Sequence, residues 1–152
     1  LKDRDSTRYS SLFLRRVLGA IKDRVTHMED ITLASSPYFS APNLHRKDIL
    51  KSIGPECGPV LVNTLTALRN KFDEVDISRA WDAKVASDIL GSEVGSLGVS
   101  KTKYYQLMRF VLTGDNTGAP LPEMAFVVGP QEIARRLTNA IDVLMAEETP
   151  NA

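Results

Sequence analysis

Apolar positions recur at steps of three and four along most of the chain, the period of a helix with one buried face. Leu14, Val17, Leu18, Ile21, Val25 and Met28 make the first such stripe. Its helix is expected to start near Ser6 or Thr7, either of which can cap it. Pro37 and Pro42 then break the pattern. Tyr38 and Phe39 between them should tuck into a groove between helices, leaving "ASSPYFSAPN" as a candidate hinge. A short helix is expected over residues 46–52, followed by a Gly-Pro turn. In "GPVLVNTLTALRNKF" a longer helix places Val60, Leu61, Leu65, Leu68 and Phe72 on one side, with Pro59 in its first turn.

The same period continues in "ISRAWDAKVASDIL", where Ile77, Trp81, Val85 and Ile89 share a face and Asp76 or Ser78 can cap the helix. Gly91, Gly95 and Gly98 mark a connection. "KTKYYQLMRFVL" reads as a helix stopped by Gly114, and "PEMAFVV" as a short apolar helix closed by Gly129. The last helix opens with Pro130 and Glu132 and runs through Ile133, Leu137, Ile141 and Leu144. No segment alternates as a strand does. The pattern predicts an all-α fold of roughly seven helices, one unit over residues 1–152, divisible into two small helical subdomains only near residues 40–58. Leu65, Leu68, Trp81, Val85, Ile89, Leu112, Ile133, Leu137 and Ile141 are its expected core.

Composition narrows the chemistry. With 43% hydrophobic residues in 152, one sizeable core is within reach. Lys plus Arg equals Asp plus Glu, 19 each, so any nucleic-acid contact must come from a local cationic face. Cys57 is the only cysteine, which excludes an intrachain disulfide and a cysteine zinc cluster and suits a reducing compartment. His27 and His45 could in principle join Cys57 as base and nucleophile or as a partial metal site, but their spacing is uninformative; the thiol is expected buried and the histidines on the surface. Phosphate-loop, HExxH and GxSxG patterns are missing. Asp73, Glu74 and Asp76 read as solvated carboxylates at a helix junction. No cofactor, metal or membrane insertion is expected, since no apolar run approaches the roughly 20 residues of a spanning helix.

The stretch "STRYSSLFLRRVLGAIKDR" has the Ser, Arg and amphipathic character of an organellar transit peptide, but its apolar spacing continues through Met28, as in a folded helix. Beginning at Leu1, the chain reads as a piece of something longer. Cations gather in the second half: Lys101, Lys103, Arg109, Arg135 and Arg136, with Tyr104 and Tyr105 interleaved. Single-stranded RNA suits that combination, because phosphates need cations and unpaired bases need flat stacking surfaces. A solvated helical face with tyrosines laid against the core fits the same residues.

The stretch "LMRFVLTGDNTGAPLPEMAFVVGPQEIARRLTNAI" resembles the C-terminal signature of bacterial and organellar glutamyl-tRNA synthetases. There the pattern runs approximately PLRxALTG, a short variable run, GPxL, an apolar helix, LG and a final RL helix. Arg109, Leu112, Thr113 and Gly114 match the first block, Gly118 and Leu121 the turn, Gly129 the stop, and Arg136 with Leu137 the closing pair. Leu107 stands in place of the family's proline, and the turn reads Gly-Ala-Pro-Leu. Upstream, "IKDRVTHMEDI" and "SPYF" are similar to the family's arginine-containing helix and aromatic segment.

The resemblance implies a helical cage for the unstacked anticodon bases of tRNA(Glu), without ligase chemistry of its own. The HxGH and KMSKS signatures of the catalytic half do not occur in this sequence. The implied partners are the anticodon stem-loop of tRNA(Glu) and the catalytic domain of the same synthetase. Gly118, Ala119, Pro120 and Leu121 would form the reading turn, Leu121 offering an apolar surface to a base. Arg109 would anchor the loop or a phosphate, and Lys101, Lys103, Tyr104, Arg135 and Arg136 would add contacts. An alternative keeps the fold without the RNA, as a structural subunit among the protein subunits of a larger organellar complex. The expected location is the mitochondrial matrix or another organelle, or alternatively the bacterial cytoplasm.

Overall fold

A computed structural model describes residues 10–22, 37–78, 81–115 and 118–146. Seven α-helices and one 3-10 turn lie wholly among these residues, residues 37–39 are helical besides, and no described residue is in a strand, the all-α architecture the periodicity implies. Helix α1, Ser11–Ile21, is capped by Ser10, whose side chain accepts from the Phe13 amide at 3.1 Å. Ser6, Thr7, Val25, His27 and Met28 lie outside the described residues. Val17 and Ile21 of the expected stripe are buried, whereas Leu14 and Leu18 are exposed and Phe13, outside the stripe, is half-buried. The helix meets its neighbours along a narrow seam, where the Arg16 guanidinium sits 4.7 Å from the centre of the Phe126 ring. The transit-like stretch is thus, over residues 11–21, a helix packed on the core.

Residues 37–39 are helical, Tyr38 is buried, and Phe39 meets Phe13 edge-on at 5.5 Å. Helix α2, Arg46–Leu50, ends two residues before the expected limit, and the 3-10 turn Pro55–Cys57 leads into α3, Gly58–Asp73. In α3, Leu61, Leu65, Leu68 and Phe72 are fully buried, while Val60 turns to solvent. Asp73 and Glu74 sit at the C-terminal end of α3, exposed, and not at a helix start. The Cys57 thiol, half-buried, donates to the Ile53 carbonyl, and His45 is exposed. Among the described residues no group of His, Cys, Asp and Glu could hold a metal ion, and no helix is long and apolar enough to cross a membrane.

Helix α4, Ala83–Gly91, starts later than the sequence suggests. Its cap is Asp82, accepting from the Val85 amide at 2.9 Å; Asp76 instead accepts from the Ser78 amide and hydroxyl in the preceding turn. That shift rotates the face: Ala86 and Leu90 are buried, and Val85 and Ile89 only half-buried. Trp81 stands just before the helix, half-buried, donating its indole N–H to the Phe126 carbonyl at 3.0 Å and meeting Phe72 edge-on. Helices α5, Lys101–Thr113, α6, Leu121–Val128, and α7, Pro130–Ala146, complete the chain, with α7 packed along α3.

One hydrophobic cluster runs from Val17 to Leu144 and takes Leu44, Ile49, Leu50 and Ile53 from residues 40–58, so side chains from both sides of that stretch share one core. A buried charge bolts this core together. Arg136, 1% exposed, donates to the Glu132 carboxylate at 2.8 Å, to the Leu112 carbonyl at 3.0 Å and to the Pro37 carbonyl at 2.6 Å. Leu112 is next to last in α5, where carbonyls lack helical partners, so the guanidinium completes that helix end and ties it to residue 37.

Glu132 serves two arginines, Arg136 and the exposed Arg135 at 2.7 Å. Burial works against its ionisation, but hydrogen bonds from Arg135 and Arg136, together with their charges, outweigh it and hold the carboxyl below its ordinary value of 4.5. A lowered carboxylate stabilises the fold above pH 4.5 and loses that contribution as the pH falls through its folded value. We therefore expect the loss of unfolding free energy between pH 7 and pH 3, read by urea titration, to be smaller in Glu132→Gln than in the wild type. Equal losses would contradict the assignment.

Candidate RNA interface

Helix α5 is fixed at both ends by its own sequence. Ser100 accepts from the Lys103 amide at 3.2 Å, and Gly114, at φ 76°, closes the helix with its N–H on the Phe110 carbonyl at 2.7 Å. Between them Tyr104, Leu107, Met108, Val111 and Leu112 are buried, at spacings of three and four. Thr102, Tyr105, Gln106 and Arg109 fall on the other side, around a cleft of about 480 Å³ whose far wall is Pro120, Leu121 and Pro122. Lys101 stands at its mouth.

The turn opposite α5 is held from across the cleft. Arg109 donates through Nη1 to the Ala119 carbonyl at 2.7 Å, and Gly118, at φ 144°, allows the backbone direction that brings this carbonyl inward. Arg109 is thus an anchor of the turn, one of the two roles the sequence offered. Pro120 is exposed, Pro122 half-buried, and Ala119 and Leu121 are buried. Leu121 lines the cleft but is 3% exposed: it packs the junction of α5 and α6 and does not stand out as a surface for a base.

Three more of the expected contacts are placed elsewhere. Tyr104 is in the core, its hydroxyl donating to the Leu90 carbonyl; burial pushes its phenol pKa upward, with Tyr105 and Glu93 adding to the rise. Arg136 is the core bolt. Arg135 is exposed but bound to both oxygens of Glu132, beside a separate groove that includes Ile77, Gly129 and Gln131. Lys103 is exposed and Lys101 lines the cleft. The structure therefore gathers Lys101, Arg109, Pro120 and Leu121 from the expected set and adds Thr102, Tyr105, Gln106 and Pro122. Tyr105 meets Tyr104 edge-on at 5.1 Å, which steadies the outer ring against the buried one. Helical phase carried the signal for this exchange, since position 104 and not 105 keeps step with 107, 108, 111 and 112.

A half-buried aromatic ring, two cations, an amide and two prolines thus line one concave surface, groups able to stack, pair with an anion and hydrogen-bond. Residues 3–141 match the family described as the anticodon binding domain. Glutamate–tRNA ligase 1 of Pseudothermotoga lettingae is 28% identical over 131 residues, covering 85% of this chain and 25% of that protein. Glutamate–tRNA ligase 1 of Fervidobacterium nodosum is 22% identical over 126 residues, covering 83% and 24%. The crystal structure of a glutamate tRNA ligase from Elizabethkingia meningosepticum, in complex with its amino acid, superposes with a TM-score of 0.66 at 20% identity, over 89% of this chain and 26% of that one. The chain spans about a quarter of the length of the curated relatives it matches. By the extent of the family match the chain belongs to the anticodon binding domain family.

Proposed function

We propose that the domain binds the anticodon stem-loop of tRNA(Glu) through the cleft between α5 and the 118–122 turn, as the anticodon-binding part of a protein that charges this tRNA. The observation that carries the reading is the arrangement around Arg109. One guanidinium nitrogen fixes the Ala119 carbonyl, and the cleft it borders offers the Tyr105 ring for stacking, Lys101 for a phosphate and the Gln106 amide for a base edge. Lys103, exposed at the start of α5, extends the cationic rim. Ligase chemistry falls to a catalytic domain in the same protein, with the HxGH and KMSKS signatures this sequence lacks. The named relatives are bacterial, which favours the bacterial cytoplasm as its location over an organelle.

Titration of labelled tRNA(Glu) transcript into the purified chain at one fixed low salt concentration tests the reading. A base stacked on an aromatic ring is worth about 1–3 kcal/mol, so Tyr105→Ala is expected to weaken binding about tenfold, measured at a temperature where thermal unfolding shows both proteins folded. A tRNA carrying a different anticodon should bind the wild type more weakly. Equal affinity for both tRNAs, or no effect of Tyr105→Ala, would remove the cleft from recognition.

A further inference from the structure

A second cleft lies on the opposite flank of α5. Its volume is about 710 Å³; Ile49, Leu107 and Phe110 provide apolar lining, and Asp48, Lys51 and Ser52 provide polar lining from α2 and the turn after it. Ile49 and Leu107 are buried, so their lining is fixed by the core, whereas Asp48, Lys51 and Ser52 are exposed. Gln106 borders both clefts. The two clefts thus adjoin at this exposed residue of α5.

We propose that this second cleft takes a further unpaired nucleotide of the same RNA, beside the one in the Tyr105 cleft; the inference rests on the function proposed above. The chemistry matches each part of a nucleotide. Phe110 with Ile49 and Leu107 gives an apolar wall for a base, and Lys51 a cation for its phosphate. Asp48 can only accept hydrogen bonds when ionised, so it selects a base edge that presents N–H donors, such as the exocyclic amine of cytosine. Continuity through Gln106 identifies the occupant: a strand leaving the first cleft across the ridge of α5 enters the second. A protein segment would have no such reason to share that residue.

Asp48 and Lys51 are exposed, so Asp48→Asn and Lys51→Ala test the cleft without disturbing the core. The probe is a labelled anticodon stem-loop of tRNA(Glu), with a set of loops in which one nucleotide at a time is made abasic. Asp48→Asn is expected to weaken binding of the intact loop about fivefold to tenfold, and to have no effect on the loop abasic at one position. That position should neighbour, and differ from, the one that silences Tyr105→Ala. Lys51→Ala should lower the slope of log affinity against log salt by about 0.7, one phosphate contact on a single strand. If Tyr105→Ala weakens binding while Asp48→Asn and Lys51→Ala leave affinity and slope unchanged, the second subsite is overturned and the first reading stands. If the wild type binds no stem-loop, or Tyr105→Ala is also without effect, both fall.

Discussion

Arg136→Ala is expected to lower the unfolding free energy by about 3–5 kcal/mol, the usual cost of removing one member of a buried charge pair. The change strips the Leu112 and Pro37 carbonyls of a shared donor and leaves Glu132 with Arg135 alone at the surface. At roughly 2–4 °C per kcal/mol for a chain of this size, the melting temperature should fall by about 6 °C or more. Arg136→Met separates the causes. It restores most of the side-chain volume but no donor, so most of the loss should persist if the carbonyls and carboxylate account for it. A methionine variant as stable as the wild type would show that Arg136 acts by filling space. Differential scanning calorimetry of the three proteins makes the comparison.

Gly114→Ala should cost about 2–5 kcal/mol, from two causes of different kind. The backbone there is left-handed, at φ 76°, which charges any residue with a Cβ about 1–2 kcal/mol. A Cβ at Gly114 would also lie 2.8 Å from Cβ of Pro42, and crowding of that sort adds about 1–3 kcal/mol. Gly98 supplies the comparison: its φ is 68°, with open space where a Cβ would stand. Urea unfolding should therefore find Gly98→Ala milder than Gly114→Ala by the contribution of Pro42. Equal costs would mean that the segment around Pro42 gives way, and that its seat on the end of α5 is loose.

How much was legible in the sequence depends on whether a residue's place follows from its own helix. The all-α class, the stops at Gly114 and Gly129, the openings at Pro59 and Pro130, and the cores of α3 and α7 all follow from local period and capping. So, in principle, did Tyr104 and Arg136: 104, 107, 108, 111 and 112 make one face, and 133, 136, 137, 140, 141 and 144 another. Residue type obscured what spacing declared, because arginine is assigned to the surface by habit and burial demands partners. Glu132 lies one turn back on the same helix, but the two carbonyl partners are 24 and 99 residues away, beyond the range of any local pattern. In α4 the fault was reversed. Large side chains at 81, 85 and 89 drew attention, while Ala86, small and fully buried, marks the inward face. The second cleft required tertiary structure, since only folding brings residues 48–52 beside 106–110.

Under the function proposed above, the bond from Arg109 to Ala119 bears on the kinetics of recognition. A turn already held in place on folding need not be ordered again when a ligand arrives, so the ordering entropy is met before the encounter. Discrimination between anticodons should then appear chiefly as different residence times on a surface of settled shape, with arrival rates nearly alike for cognate and non-cognate RNA. The net charge of zero points the same way, giving the domain no overall pull on one polyanion over another. Time spent in the cleft, and not the frequency of visits to it, would carry the information.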